Sequence, residues 1–546
     1  MEAPDTSQRL AVKLLPIVLI FLFALTPYAN LSFMPPTSPG IRGLSLLGMS
    51  MVGLTLLLRS STTVRFNLYI WAGIAVWCAV SIIGIWGATN PASSFVRQSE
   101  WFCGFVLFLM IGSLRQEDIQ ILGRRVTQSL IFAGLLYITV FVVVWNQLPN
   151  PQSHNWFGSP FPFGHIRFYG YVAMTSAIAG LLLLEYIPQN RLYKHIWRLV
   201  ATSLITVLIA GVFWSGGRGA IIGLACGVVA VITTVKAPRL PLLISTLLIA
   251  VPLAYVLGDW ASPNQAMLGP SITHGQEPKT VNQFSSGRIG IWEFSLNHLR
   301  NQPIFGFGAN GYDSLPGKSV HTGQPHSLIV QVLTDWGIIG GLLFLVTIFW
   351  ASGKRFFQAF KKKISTSQAT ILAIVGALLS HGMVDGTLYH QPSMSVFLLS
   401  FSIMYWQSSP AQTGISIPHL RLAICVAFFL FIAVASLHLL NIRNQLSSDI
   451  PSPQSHQAAL IRFFPSDTSN AKRWIESWYQ EDPETALEWT RWMRNHSERP
   501  WNYYLLEESF LRTNGESAKA DEIATELDQI RPAWSWEEFN RNLEAN

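Results

Sequence analysis

Charge is scarce in this chain. Asp, Glu, Lys and Arg make up 12% of its 546 residues, about half the share of an ordinary soluble domain, while 50% are hydrophobic. Cysteine is scarcer still: Cys78, Cys103, Cys226 and Cys425 are the only four, and each falls inside an apolar stretch. With none in a polar loop, a disulfide framework and any metal site built on cysteine are excluded. No His-Glu-x-x-His and no complete Gly-x4-Gly-Lys-Ser/Thr phosphate loop occurs, which removes two common catalytic plans. No Asp-rich motif offers itself to a magnesium-bound diphosphate either.

What the chain has in abundance is long apolar runs, with 20 Trp and 33 Phe among them. A helix needs about 17–25 apolar residues to cross roughly 30 Å of hydrocarbon. Thirteen stretches qualify as candidate spans. The first seven lie near Leu14–Tyr28, Gly43–Leu58, Asn67–Trp86, Trp101–Ser113, Val126–Trp145, Tyr169–Leu184 and Leu199–Trp214. The others lie near Gly219–Val235, Leu240–Leu257, Trp336–Ser352, Gln368–Val384, Pro392–Trp406 and Leu422–Leu440. No small-residue cleavage site follows the first, so it is read as a retained helix. The expected fold class is all-α, a polytopic membrane protein.

Basic residues in short loops favour the cytoplasmic side. One alternating set of loops carries Arg59 and Arg65, then Arg115, Arg124 and Arg125, then Arg191, Lys194 and Arg198, then Lys236 and Arg239, and finally "GKRFFQAFKKK" from Gly353. The opposite set holds Arg42, Arg97, Arg167 and Arg218 as isolated residues. The N-terminus is therefore expected in the cytoplasm, and the long loop 259–327 and everything after Asn441 outside it.

Two regions follow: a transmembrane domain, 1–440, and an exported C-terminal domain, 441–546. From Asn441 onward there are 18 Asp plus Glu against 11 Lys plus Arg, so the +14 of the remainder is loop anchoring and not a nucleic-acid surface. The tail reads as four short helices punctuated by Pro465, Pro500 and Pro532, at intervals close to the 34-residue tetratricopeptide period. A small helical domain and a two-unit repeat both fit.

Polar residues at the external membrane boundary carry the chemistry. Arg218 sits in "WSGGRGA" between two apolar spans, on the side where basic residues are rare, beside glycines that permit close approach. Arg288 opens "GRIGIWEFSLNHL", expected to be an amphipathic helix at the membrane face, and His326 immediately precedes the apolar run "SLIVQVL". A guanidinium pairs phosphate oxygens through a planar fork. An imidazole can take a proton from an attacking hydroxyl. Together they suit a lipid diphosphate leaving group and a hydroxyl acceptor, with arginines in place of a metal. His381 and Asp385 in "HGMVDGTLYH" stand four apart and would share a helix face. Arg167 in "FPFGHIRFYG" would guide an anionic lipid or anchor its span.

"SSGRIGIW…NQPIFGFGANGY…PHSLIVQVLTDWGIIGGLLFLV", preceded by "SGGRGA" and followed by "LLSHGMVDGTLYHQPSMSVFLLSF", resembles the O-antigen ligase and O-antigen polymerase superfamily, which includes bacterial O-linked oligosaccharyltransferases. The resemblance covers about Phe163 to Phe401. It implies a membrane glycosyltransferase of the bacterial inner membrane. Such an enzyme takes a glycan from undecaprenyl diphosphate at the periplasmic face, without a metal or other cofactor. Arg218 and Arg288 would hold the diphosphate, and His326 would activate the acceptor or assist the diphosphate. The family often has His-Asn where this chain has His326-Ser327. The acceptor is lipid A core for a ligase, Ser or Thr of a protein for an oligosaccharyltransferase, and another lipid-linked unit for a polymerase; ligase is the favoured expectation. A lipid-linked glycan transporter is the alternative of another class, but its charges and broken helices would lie near the bilayer midplane.

Overall fold

Uncharged runs of Leu, Ile, Val and Phe leave a chain in hydrocarbon one common way to satisfy its backbone polar groups, the helix. The computed structural model describes residues 14–25, 38–57, 63–65, 68–88, 91–151, 163, 166–188, 191–260, 288–315, 324–407, 414–416, 452–453, 468–496 and 500–530. Among these, nearly every element is helical. The first helices are α1 (Leu14–Leu25), α2 (Ser38–Leu57), α3 (Leu68–Trp86), α4 (Pro91–Gly112) and α5 (Gln116–Gln147). Then come α6 (Ile166–Gly180, continued by a 3-10 turn to Tyr186), α7 (Arg191–Trp214), α8 (Arg218–Thr234) and α9 (Leu240–Trp260). After α10 (Arg288–Leu299) in the long loop follow α11 (Leu328–Lys362), α12 (Thr366–Gly382) and α13 (Gln391–Gln407).

Among the described residues, five stretches are long and apolar enough to cross a membrane by length and composition: Gln116–Gln147, Ile166–Tyr186, Tyr193–Trp214, Ala237–Gly258 and Leu328–Lys362. Leu14–Leu25, Gly43–Leu56, Ala75–Trp86 and Arg218–Thr234 are shorter apolar helices. Leu199, Leu248, Val256, Val346 and Trp350 are all more than half exposed on helix exteriors, the surface a bilayer solvates and water does not. The expected span Leu422–Leu440, with Cys425, lies outside the described residues.

Two boundaries differ from the sequence reading for electrostatic reasons. The expected span Trp101–Ser113 belongs to a helix that begins ten residues earlier, at Pro91. Arg97 is not an isolated loop charge. It is fully buried and ion-paired with Glu100 three residues on, so the helix carries both charges inside as a neutral pair. The basic stretch "GKRFFQAFKKK" is likewise not a loop but the last turns of α11, where an apolar face continues among the lysines. At its other end α11 is broken at Gly337, whose φ of 65° and ψ of −169° leave the helical region. The residues around the break bond to the preceding loop instead, Phe307 N to Thr334 O at 2.8 Å and Ile338 N to Pro303 O at 2.8 Å. A Cβ at Gly337 would stand 2.3 Å from Ile304 O, so only glycine fits the crossing.

α8 packs along α12 and α7 along α9. The α8–α9 and α11–α12 connections meet at one end of the bundle, Ile364 N donating to Thr234 O at 2.9 Å. Lys236, Arg239 and Lys361–Lys363 gather there. A short antiparallel ribbon, β1 (Thr63–Arg65) with β2 (Gly414–Ser416), pairs the connection that carries Arg65 with the one that follows α13. α10, the start of α11, the end of α12 and the start of α13 converge on the opposite end.

Among the described residues of the tail are four 14-residue helices: α14 (Thr468–Glu481), α15 (Pro483–His496), α16 (Pro500–Thr513) and α17 (Ser517–Ile530). Trp474, Trp478 and Tyr503 are buried between them, and the Tyr479 ring stacks on Phe510 at 3.8 Å. α15 also packs on the Gly311–Ser314 turn of the long loop, which seats the tail at the end of the bundle that bears Arg288.

Candidate active site

Asp385 is the centre of the arrangement. It does not extend α12, as its spacing from His381 suggests, but lies in the turn after it, where its backbone N still bonds His381 O at 3.0 Å. Oδ1 accepts from His326 Nδ1 at 2.7 Å and from Gly386 N at 2.8 Å. Oδ2 faces Arg288 Nη2 at 3.9 Å and His381 Nε2 at 3.8 Å, electrostatic contacts longer than hydrogen bonds. Tyr171 is near enough for this carboxylate to act on it electrostatically. Burial alone would push the Asp385 carboxyl up, but the bond from His326 and the nearby His381 ring hold it well below the usual carboxylate range.

An ionised carboxylate only accepts, so the 2.7 Å contact assigns the proton of a neutral His326 ring to Nδ1. Gln324 Nε2 lies 3.0 Å from the same nitrogen but is itself a donor and does not compete for that proton. Nε2 is left as the ring atom with a lone pair. His326 has a φ of 51°, the left-handed region that a bulky residue rarely occupies. Two bonds hold it there: His326 N donates to Gln324 Oε1 at 3.2 Å, and Trp292 Nε1 donates to the Pro325 carbonyl at 2.8 Å.

Three guanidiniums share this end. Arg288 is the first residue of α10, Arg218 the first of α8 and Arg167 the second of α6. Each acts electrostatically on the others. Burial lowers the Arg288 guanidinium from its ordinary value, Asp385 opposes that shift, and Arg167 and Arg218 add to it. Arginine so shifted remains charged. Three cations against one carboxylate make a place that favours an anion. Among the described residues, no group of three or more His, Cys, Asp or Glu could hold a metal ion.

α8 begins this close to α12 because of Gly219. A Cβ there would stand 2.4 Å from His381 Cδ2 and 2.5 Å from Nε2, so any side chain displaces the ring that borders Asp385. From α4, Arg97 donates to Leu388 O at 2.8 Å and stacks over Tyr389 at 5.1 Å. Gln391 Nε2 reaches Glu100 Oε1 at 3.1 Å. The segment after Asp385 is thus clamped by a buried ion pair.

All six residues singled out in the sequence, Arg167, Arg218, Arg288, His326, His381 and Asp385, come together. His381 and Asp385, read from the sequence only as sharing a helix face, lie at the centre. Sequence reasoning missed Tyr171, Trp292 and Gln324. The first two stand four residues after Arg167 and Arg288 on the same helix faces, a spacing that could have found them. Gln324 carries no such signal.

No curated protein matches the chain. Residues 201–345 match the family model described as O-antigen ligase. That segment runs from α7 through the break in α11 and contains Arg218, Arg288 and His326, though not Arg167, His381 or Asp385. Over that segment the chain is similar to the O-antigen ligase family.

Proposed function

We propose that this protein transfers a glycan from undecaprenyl diphosphate to an acceptor hydroxyl at the periplasmic face of the bacterial inner membrane, with lipid A core as the acceptor. The observation that carries the reading is the convergence of Arg167, Arg218 and Arg288 beside a histidine oriented by a carboxylate. His326 Nε2 takes the proton of the acceptor hydroxyl as its oxygen bonds the anomeric carbon of the donor sugar. The bond from that carbon to the diphosphate oxygen breaks, and the departing charge falls on the guanidiniums. Asp385 fixes the His326 tautomer and stabilises the imidazolium, which passes its proton to the released diphosphate or to water. No metal is required in this scheme, so activity should persist in EDTA.

A second reading, transfer to Ser or Thr of a protein, is favoured by the tail, whose α15 packs on the loop that carries Arg288 and could present a polypeptide. The deciding experiment supplies the purified protein with a polyprenyl-diphosphate-linked glycan. Lipid A core, a Ser/Thr peptide and a second lipid-linked unit are offered in turn as acceptors, and products are identified by mass spectrometry. Movement of intact donor between leaflets without release of diphosphate would make the protein a transporter and end this reading. The topology proposed, thirteen spans with a cytoplasmic N-terminus, puts tags at Lys236 and Lys361 inside and at Gly317 and Asn546 outside. A cytoplasmic report from Asn546 alone would remove one span.

A further inference from the structure

At the end of the bundle opposite Asp385, the last turns of α11, the start of α12 and the end of α13 enclose a cavity of about 280 Å³. Its polar lining is Arg355, Gln358, Lys362, Gln368 and Gln407, with no Asp or Glu among the lining residues. The acceptor ends of two of these glutamines are already used. Gln358 Oε1 takes a bond from Arg355 Nη1 at 3.0 Å, and Gln368 Oε1 takes bonds from Ser365 N and Oγ at 3.3 and 3.2 Å. Gln407 is 8% exposed, and its Nε2 is turned away from the cavity against Gly123 of α5. The cavity therefore presents N–H donors and positive charge and asks for a ligand that only accepts.

The Arg355 guanidinium lies over the Tyr405 ring, 5.0 Å from its centroid, and Tyr405 lines a second cavity. That neighbour is an apolar cleft of about 340 Å³ between α3, α4, α11 and α13, lined by Phe105, Phe108, Phe344, Trp350 and Phe401 among others. A donor-rich polar pocket beside an apolar cleft, at a membrane boundary crowded with lysines, matches one amphiphile. We propose that the pair of cavities binds an anionic glycerophospholipid. Its phosphodiester sits among Arg355, Lys362 and the amides of Gln358 and Gln368, and an acyl chain lies in the aromatic cleft. The site belongs to the leaflet facing the basic loops and is separate from the one that would hold the glycan donor.

Free phosphate shares the headgroup chemistry but leaves the cleft empty, which the test exploits. The full-length protein is reconstituted in nanodiscs of phosphatidylglycerol mixed with phosphatidylcholine and released for native mass spectrometry. Wild type should retain one phosphatidylglycerol. Lys362→Gln, at an exposed position that tolerates change, and Arg355→Gln should each reduce the retained fraction about tenfold, the loss expected for one charge-assisted hydrogen bond. Phe401→Ala, in the cleft, should lower retention without altering charge. In phosphatidylcholine nanodiscs, inorganic phosphate should not raise the unfolding temperature, whereas phosphatidylglycerol should. Equal retention of the two lipids would overturn the proposal. So would retention unchanged in Lys362→Gln, or stabilisation by inorganic phosphate equal to that by phosphatidylglycerol.

Discussion

Replacing Asp385 with Asn keeps the shape of the side chain and removes its charge. The 2.7 Å bond to His326 Nδ1 is in the range of charge-assisted bonds, which contribute about 1.5–3 kcal/mol. At about 1.36 kcal/mol per decade, its loss should lower kcat roughly 10–150-fold if the bond is strengthened fully as His326 gains its proton. The same change removes the counter-charge 3.9 Å from Arg288 Nη2, leaving three guanidiniums unopposed. The diphosphate donor should then bind as well as before or more tightly, so KM for donor stays level or falls while kcat drops. A residue that merely holds the fold would not produce that split. In a transfer assay with purified protein, Asp385→Asn combined with His326→Ala should be no slower than His326→Ala alone, because the two act as one unit. Full activity of Asp385→Asn, or a loss that multiplies with that of His326→Ala, would refute this account. The pH dependence has a definite sign. Asp385 has a folded value below the unfolded one of about 3.9, so its charge contributes to stability fully above that value. The contribution is lost as pH falls through the folded value, so in acid the stability of the wild type should fall more steeply than that of Asp385→Asn.

Arg288→Lys should recover little of the activity lost in Arg288→Ala, because an ammonium cannot span two phosphate oxygens; near-complete rescue, read as kcat/KM, would point to simple charge attraction. Gly219→Ala drives a methyl group into the His381 ring, so transfer should fall while the protein still inserts, and wild-type rates would show that α8 yields easily. Arg97→Ala strands Glu100 in the bundle and frees the Leu388 carbonyl, a loss of about 3–5 kcal/mol measurable as a lowered unfolding temperature. Arg97→Ala with Glu100→Ala should be less damaging than Arg97→Ala alone, and the reverse order would mean the pair is not what makes the single change costly.

The membrane class, the all-helical architecture and the identity of most candidate site residues were legible in the chain itself. In a sequence so poor in charge, every Arg, Asp or His at the edge of an apolar run stands out, and hydropathy is a local property that a single window can read. Arg218, Arg288 and His326 were visible for that reason. Which partners they meet was decided by packing. His326 and Asp385 are 59 residues apart and touch because the start of α11 and the end of α12 share one end of the bundle. Tyr171 joins them from α6, and Gln324 holds His326 through a backbone bond that no spacing announces. Arg97 and Glu100 illustrate the reverse error: a local reading ends a span at two charges, whereas burial lets them neutralise each other and the helix run on. Sequence determined where charge is rare enough to matter, and tertiary structure determined which charges meet, because electrostatic contacts depend on distance in space and not along the chain.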